Sequence, residues 1–285
     1  MSPGSERSEA VGSTRGTRRD VECRILGHRM STLAQAAERL RALHSGSEPL
    51  VLPNAWDAVT ARAVVEAGFP AVATTSSGVS GALGWADGEA TPADEMFAAI
   101  ARIARVVDVP VTADIEAGYG LPPDEIVRRL LAAGAVGCNL EDTDHAAGKT
   151  LRDAATEAHR LSAFKQAARA AGVNIVLNAR TDVFLRLQPN EPPPIDEAIR
   201  RGRLYLEAGA DCIFPIGAAD EGAIAALVDG IPGPINVIPG FRGAPGPARL
   251  RELGVRRISF AGRLYHAAQT ELQRHLAALR AGDEF

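Results

Sequence analysis

The sequence has few cysteines and almost no lysine, and it contains no long apolar run. Its three cysteines, Cys23, Cys138 and Cys212, are scattered and odd in number, which excludes a disulfide framework and a Cys-x-x-Cys metal site. No stretch approaches the roughly 18 to 20 uncharged apolar residues of a membrane span, and the N-terminal region lacks the apolar segment of a secretory signal. We therefore expect a cytoplasmic protein with reduced thiols and no membrane partner.

The chain also lacks net positive charge. Its 35 acidic and 31 basic residues give a formal net charge of −4, so nothing attracts nucleic acid or anionic lipid in general, and an anion has to be bound at a local site. Only Lys149 and Lys165 are lysines. A chain of 285 residues that is 46% hydrophobic and 23% charged is long enough to bury a large core. These features favour an enzyme for a small molecule over a nucleic-acid-binding protein.

The two ends of the chain differ in pattern. Residues 1–30 are rich in Ser, Gly and Arg and show no apolar period, which predicts a disordered extension. An amphipathic run from Leu33 to Leu43 follows, with Ser31 or Thr32 as a candidate N-cap. We therefore divide the chain into an extension over 1–30 and one catalytic domain over 31–285.

Short, continuously apolar segments alternate with helical patterns through this domain. Strands are predicted near 50–53, 71–75, 110–114, 137–141, 174–180, 211–215, 234–239 and 256–260, each followed by a helical pattern. Eight such units over about 250 residues predict a parallel sheet closed into a single (β/α)8 barrel. An open doubly wound sheet is the alternative, but no Gly-x-Gly-x-x-Gly turn follows the first strand.

Acidic residues follow two consecutive predicted strands, at the ends where barrel enzymes carry their sites. Asp114 and Glu116 are two residues apart, so both side chains can project to the same side, and Glu141 ends the next strand. Converging carboxylates repel one another unless a cation neutralises them, and an all-oxygen site suits Mg²⁺ or Mn²⁺ rather than zinc. The alternative is that these acids cap helices or pair with loop arginines.

Other strand ends carry basic, hydroxyl and amide groups. Arg180 can hold a carboxylate or phosphoryl group, and its alternative role is an ion pair with Asp182 or Glu141. Asn236 lies at the seventh strand end. A turn that offers hydroxyls and consecutive N–H groups to an anion is formed by Thr75, Ser76, Ser77 and Gly78.

Two loops complete the candidate site. The turn around Tyr119, between Gly118 and Gly120, either contacts substrate or is a simple loop that needs positive φ angles. Residues 143–149 are polar with small residues that can act as hinges, which is typical of a mobile lid. His145 and Lys149 of this lid could supply acid–base or electrostatic help, and the alternative for His145 is a solvated loop side chain.

These segments resemble the isocitrate lyase and phosphoenolpyruvate mutase superfamily. The resemblance runs in order from about residue 33 to 280, and its motifs are 53–57, 74–84, Asp87, 113–120, 139–142 and 179–182. It implies a (β/α)8 barrel whose last helix is swapped onto a neighbouring subunit, packed as a homotetrameric dimer of dimers. It also implies a Mg²⁺-dependent site for 2-oxo or 2-hydroxy acids.

The resemblance also implies roles for individual residues. Thr75, Ser76 and Ser77 match the turn that holds a substrate carboxylate through N–H groups, and Arg180 matches the arginine that contacts the substrate. The carboxylates that bind the metal directly or through water correspond to Asp87, Asp114, Glu116 and Glu141. We predict the catalytic residues Arg180, His145 and Tyr119. Substrate binding is predicted for Thr75, Ser76, Ser77, Gly78, Arg180 and Asn236.

The lid departs from the family pattern. In isocitrate and methylisocitrate lyases it carries Lys-Arg-Cys-Gly-His or a close variant, whose cysteine supplies a proton, whereas residues 143–153 contain no cysteine here. Glu116 also replaces the usual second aspartate. We therefore expect a metal-dependent carbon–carbon lyase or decarboxylase for a small oxaloacetate- or alkylmalate-like acid, acting through a pyruvate enolate that water or His145 protonates. The alternatives are phosphorus–carbon chemistry on phosphonopyruvate and a non-catalytic barrel that binds an acid metabolite.

Overall fold

The computed structural model describes residues 18–186 and 191–282. The first helix, α1 (Arg18–Leu43), begins inside the segment expected to be disordered, and residues 1–17 of that segment lie outside the described residues. Residues 18–30 contain no proline, and adding turns to an existing helix costs far less than nucleating one. This corrects the expectation for residues 18–30, while the division of the chain at residue 31 stays a prediction.

Parallel strands form the centre of the molecule, and all eight predicted strands are present. They are β1 (Leu50–Leu52), β2 (Asn54–Ala55), β3 (Val72–Thr74), β4 (Val111–Asp114), β5 (Gly137–Glu141), β8 (Val176–Thr181), β9 (Cys212–Pro215), β10 (Asn236–Val237) and β11 (Arg257–Ser259), where β1 and β2 share one predicted position. The remaining strands, β6 (Thr143–Asp144) and β7 (Thr150–Leu151), form an antiparallel hairpin in the expected lid.

The parallel strands pair as two sheets, and these two sheets meet at two places. The sheet orders are β2-β3-β4-β5-β8-β9 and β1-β11-β10. Pro53 separates β1 from β2, because a proline has no N–H to continue the ladder. On the other side, a parallel bridge joins Ile213 of β9 to Ile235, which precedes β10. The fold is a (β/α)8 barrel, as the alternation of strands and helices predicts.

Helices surround the strands, and most of them bury one face. They are α2 (Ala58–Glu66), α3 (Ser76–Leu83), α4 (Ala93–Ala104), α5 (Pro123–Ala133), α6 (Ala154–Ala170), α7 (Ile195–Glu207), α8 (Glu221–Gly230), α9 (Pro247–Glu252) and α10 (Arg263–Ala281). In α4, Met96, Ile100 and Ile103 are fully buried at helical spacing, so this stripe packs on the sheet. Gly134 ends α5 in the left-handed conformation, as a C-terminal glycine should.

The strand register brings the candidate residues to one rim. Asp114 pairs in register with Asn139, and Glu141 pairs with Arg180 on the neighbouring strand. Because β3, β4, β5 and β8 are consecutive in the sheet, the residues that follow them lie side by side. The rim formed by these four strand ends is the place to look for a site.

The last helix, α10, packs little of its own surface. Leu272, Leu276 and Leu279 are each about half exposed, at 52%, 55% and 49%. The helix swap and the tetramer implied by the resemblance stay predictions. None of the described helices combines the length and the apolar character that a membrane crossing requires.

Candidate active site

A small polar cavity opens at the rim formed by β3, β4, β5 and β8. Its volume is about 180 Å³. Apart from one glycine, all of its lining residues carry polar or charged side chains. They are Ser76, Asp87, Gly88, Glu116, Glu141, Thr143, His145, Lys149, Arg180, Asp182 and Arg186.

Asp114 is held at the edge of this cavity by the first turn of α3. Thr75 is the N-cap of α3, so Ser76 is the first helical residue, and its backbone N and Oγ donate to Asp114 Oδ2 at 3.1 and 2.9 Å. Asp114 Oδ1 is buried and has no hydrogen-bond partner among the described residues. A buried carboxylate oxygen without a donor is costly, so this atom is suited to a cation.

Glu116 has both carboxylate oxygens occupied by local donors. The backbone N of Glu89 donates to Oε2 at 2.6 Å, and the Tyr119 hydroxyl donates to Oε1 at 3.0 Å. Burial and the charges of Asp87 and Asp114 raise the pKa of Glu116 to about 7. Glu116 also has a φ of +51°, a left-handed conformation that is unusual for a residue with a side chain. Because its hydroxyl bonds Glu116, which lines the cavity, Tyr119 is connected to the cavity through Glu116.

Asp87 is the remaining predicted metal-site residue on this side. Loss of surrounding water and the nearby Asp114 charge raise the pKa of Asp87. Within residues 18–186 and 191–282, no group of three or more His, Cys, Asp or Glu side chains forms a ready metal cluster. Mg²⁺ keeps several waters and is bound by as few as one or two carboxylates, so Asp87 and Asp114 Oδ1 fit this ion.

Arg180 makes both ion pairs that the sequence offered as its alternative role. Its Nε and Nη2 donate to Asp182 at 2.6 and 3.0 Å, and its Nη1 lies 2.7 Å from Glu141 Oε2. Burial alone would lower the pKa of Arg180, but the charges of Glu141 and Asp182 outweigh burial and raise it. A guanidinium has five N–H donors, so two remain for a ligand after these three bonds.

The lid hairpin places His145 and Lys149 over the cavity. His145 Nε2 lies 2.7 Å from Glu141 Oε1, and this hydrogen bond raises the pKa of His145. His145 Nδ1 is buried without a partner among the described residues. A Cβ on Gly88, whose φ is +98°, would lie 2.9 Å from Lys149 Nζ. Glycine at this position therefore allows the hairpin to approach the loop that carries Asp87.

The structure brings most of the predicted site residues together. The predicted residues that line the cavity are Ser76, Asp87, Glu116, Glu141, His145 and Arg180. Asp114 and Tyr119 each lie one hydrogen bond from a lining residue. Thr75, Ser77 and Gly78 do not line it, because Thr75 caps α3 and its Oγ1 bonds Ser77 Oγ at 3.1 Å.

Asn236 does not reach the cavity. Its side chain is fully buried in the barrel, where its amide exchanges hydrogen bonds with Ser259 Oγ at 3.0 and 3.1 Å. Asn236 thus binds a neighbouring strand and not the cavity, which corrects its predicted place. Sequence reasoning also missed Arg186, which enters the cavity on the short 3₁₀ turn Val183–Arg186 and donates to Thr143 Oγ1 at 3.0 Å. No spacing signal in the sequence indicates that turn.

Comparisons with known proteins agree with this architecture. Residues 40–280 match the family model described as phosphoenolpyruvate phosphomutase. The 2-methylisocitrate lyase of Bacillus subtilis strain 168 is 30% identical over 73% of this chain and 68% of its own length. The 2,3-dimethylmalate lyase of Eubacterium barkeri is 32% identical over 69% of this chain and 68% of its own length.

A solved structure extends the comparison to three dimensions. Oxaloacetate acetylhydrolase in complex with the product oxalate superposes with a TM-score of 0.77 at 26% sequence identity. The superposition covers 87% of this chain and 87% of that one. The similarity therefore spans the barrel and not a single motif.

Proposed function

Because the chain belongs to the phosphoenolpyruvate phosphomutase family, we propose that it is a metal-dependent carbon–carbon lyase or decarboxylase for a small 2-oxo or 2-hydroxy dicarboxylic acid. One observation carries the proposal. Within one small cavity, Arg180 keeps two N–H donors for a ligand, and the adjoining Asp114 keeps a buried oxygen without a donor. The first group suits a carboxylate or enolate oxygen, and the second suits a divalent cation.

The size and lining of the cavity support a short, highly charged substrate. A volume of about 180 Å³ is the space of about six water molecules at roughly 30 Å³ each. None of the lining residues has a purely hydrocarbon side chain. This favours an acid built on a four-carbon chain. Oxaloacetate and 2,3-dimethylmalate, which appear in the names of two similar proteins, both have such a chain.

Mg²⁺ or Mn²⁺ is the proposed cofactor, with Asp114 Oδ1 and Asp87 as its direct ligands. Glu116 and Glu141 would act through water, because their oxygens already accept hydrogen bonds or an ion pair. When bound, the ion would supply electrostatic stabilisation of the negative charge that develops on the substrate. It would also relieve the mutual repulsion of Asp87, Asp114 and Glu116, which raises the pKa values of Asp87 and Glu116.

In a 2-oxo dicarboxylic acid, the proposed reaction breaks the bond between the carbon next to the carbonyl and the distal carboxylate. In a 2-hydroxy acid it breaks the bond between the carbinol carbon and the next carbon, and the hydroxyl gives up its proton as the carbinol carbon becomes a carbonyl. For an oxaloacetate-like acid, the electron pair of that bond forms the enolate of pyruvate as carbon dioxide leaves, and a proton then adds to the enolate carbon. Arg180 holds the oxygens on which negative charge accumulates. The buried, unpartnered Nδ1 of His145, or water, delivers the proton, so the lid needs no cysteine.

The test is turnover of a panel of acids in the presence of Mg²⁺. Oxaloacetate, 2,3-dimethylmalate, malate and isocitrate are incubated with the chain, and the 2-oxo acid product is followed against an enzyme-free blank. The product is pyruvate from the first two acids and glyoxylate from the last two. We expect the 2-oxo acid product from at least one acid, a large loss of rate in Asp114→Ala, and wild-type rates in Asp108→Ala, whose side chain is exposed. No product from any acid, or equal rates for wild type and Asp114→Ala, would overturn the proposal.

Phosphorus–carbon chemistry is the second candidate function. It is favoured by the description of the matched family model and by three cations, Lys149, Arg180 and Arg186, that line the cavity and could hold a phosphoryl group. Phosphorus NMR of an incubation with phosphonopyruvate distinguishes the two, because only this candidate converts the phosphonate. A rise in melting temperature with Mg²⁺ and pyruvate but no turnover would instead indicate a barrel that only binds.

We further propose that the chain assembles with copies of itself through α10, as a dimer of dimers. The half-exposed Leu272, Leu276 and Leu279 of α10 support this, because a row of large apolar side chains is stabilised by a cover. The measurement is the solution mass by light scattering.

A further inference from the structure

A buried group behind the cavity connects the outer helix α7 to Arg180. Asp142, the residue after β5, is fully buried, and its Oδ2 accepts hydrogen bonds from Arg201 Nη1 and the Tyr205 hydroxyl, both at 2.9 Å. Arg201 and Tyr205 are four residues apart in α7, so they lie on one face of the helix. Both are themselves buried. None of the three touches the cavity.

Asp142 holds the backbone at Arg180 and just after it. The backbone N of Asp142 donates to the Arg180 carbonyl at 3.2 Å, and the backbone N of Asp182 donates to Asp142 Oδ1 at 2.9 Å. Asp182 in turn accepts two hydrogen bonds from the Arg180 guanidinium. The position of the guanidinium therefore depends on Asp142 through Asp182.

The same group fixes the base of the lid hairpin. The backbone N of Arg152, just after β7, donates to the Asp142 carbonyl at 2.8 Å, and Arg201 Nη1 donates to the Arg152 carbonyl at 3.0 Å. Thr143, the first residue of the hairpin, donates its hydroxyl to Asp182 Oδ2 at 2.6 Å. Asp142 thus contacts both the Arg180 strand end and the hairpin base: its carboxylate holds the Asp182 amide and, through Arg201, the Arg152 carbonyl, and its backbone carbonyl holds the Arg152 amide.

We propose that Asp142, Arg201 and Tyr205 are positioning residues that set the Arg180 guanidinium and the hairpin base in relation to each other. A buried carboxylate is costly unless it is paired and hydrogen-bonded. Here one carboxylate oxygen of Asp142 accepts from two residues of α7, and the other accepts from the Asp182 amide beside the site. Small displacements of a group that holds the reacting oxygens reduce the rate strongly, so the geometry of this contact matters for catalysis. The kinetic part of this inference rests on the proposed function.

The test compares Tyr205→Phe with Lys165→Met. Tyr205→Phe removes one buried donor from Asp142, which still pairs with Arg201. Lys165→Met removes one buried donor from Asp211, at the opposite end of the barrel, which still pairs with Arg41. Hydrogen exchange of the Arg152 and Asp182 amides is measured without ligand. We expect both amides to exchange about tenfold faster in Tyr205→Phe and at the wild-type rate in Lys165→Met.

Steady-state kinetics with oxaloacetate and Mg²⁺ provide the second measurement. We expect kcat to fall about 10- to 100-fold in Tyr205→Phe with KM nearly unchanged, and Lys165→Met to keep the wild-type kcat at a similar loss of melting temperature. Wild-type exchange rates at Arg152 and Asp182 in Tyr205→Phe would overturn the inference. Absence of wild-type turnover on every acid of the panel would overturn the proposed function instead, and the exchange rates would still decide the positioning role.

Discussion

Acid should destabilise this barrel through His44, the residue that follows α1. The ring is 4% exposed, its Nδ1 lies 2.8 Å from the Leu40 carbonyl, and its Nε2 lies 3.3 Å from Arg257 Nη1. Burial and the Arg257 charge lower the pKa of His44 to about 4, with Arg41 adding to this and Asp211 opposing it. The neutral ring is therefore the form that the folded state accepts.

The sign and size follow from linkage. In the unfolded chain His44 titrates near its ordinary value of 6.5, so below that pH the unfolded state takes up a proton that the folded state refuses. The contribution of His44 is fully present above pH 6.5 and is lost as the pH falls toward 4. Between pH 7.5 and pH 5 the free energy of unfolding should decrease by about 2 kcal/mol from this residue alone.

The assay is urea unfolding at several pH values with a matched pair of variants. His44→Gln removes the titrating ring, and His159→Gln removes an exposed histidine of α6 as the control. Relative to wild type, His44→Gln should lose about 2 kcal/mol less between pH 7.5 and 5, and His159→Gln should follow wild type. Equal pH slopes for wild type and His44→Gln would show that the folded state does not hold the ring neutral.

Three further predictions concern the site, the turn behind it and the last helix. Arg180→Lys should lower kcat/KM by about 100-fold, because an ammonium cannot keep the bonds to Asp182 and Glu141 and still hold a substrate oxygen. The control Arg200→Lys, at an exposed position, should leave kcat/KM unchanged. Gly118→Ala should lower the free energy of unfolding by about 2 kcal/mol, and by more than Gly120→Ala does. Both glycines have a positive φ, but only a Cβ at position 118 would meet a neighbour, Ile126, at 2.6 Å. Equal losses would contradict that reading. Leu276→Glu on α10 should reduce the mass measured by light scattering, and an unchanged mass would count against assembly through α10.

The eight strand positions and the acids at their ends were predictable because their signals are local. A strand buried on both faces carries few charged residues, so Asp114 and Glu141 stand out as the charged residues that end β4 and β5. The register that places Glu141 beside Arg180 is a consequence of consecutive parallel strands, and the barrel prediction contains it.

Side-chain direction and tertiary packing account for what the sequence did not reveal. The Ser-Ser-Gly-Val-Ser-Gly segment indicates a turn, yet it forms α3, because Gly78 and Gly81 allow Tyr265 to pack closely against the helix. Asn236 is predicted at a strand end, but it begins β10 and its side chain bonds Ser259 inside the barrel. Neither outcome depends on spacing along the chain, so neither has a sequence signal.

The break at Pro53 and the single bridge between Ile213 and Ile235 divide the barrel wall into two arcs. Every cavity residue lies in or after β3, β4, β5 or β8, all within the longer arc, whose strands share an uninterrupted set of backbone hydrogen bonds. The shorter arc of β10, β11 and β1 contributes closure and no lining residue. The proposed chemistry thus uses one half of the wall, and we expect substitutions in the other half to change stability without changing the reaction.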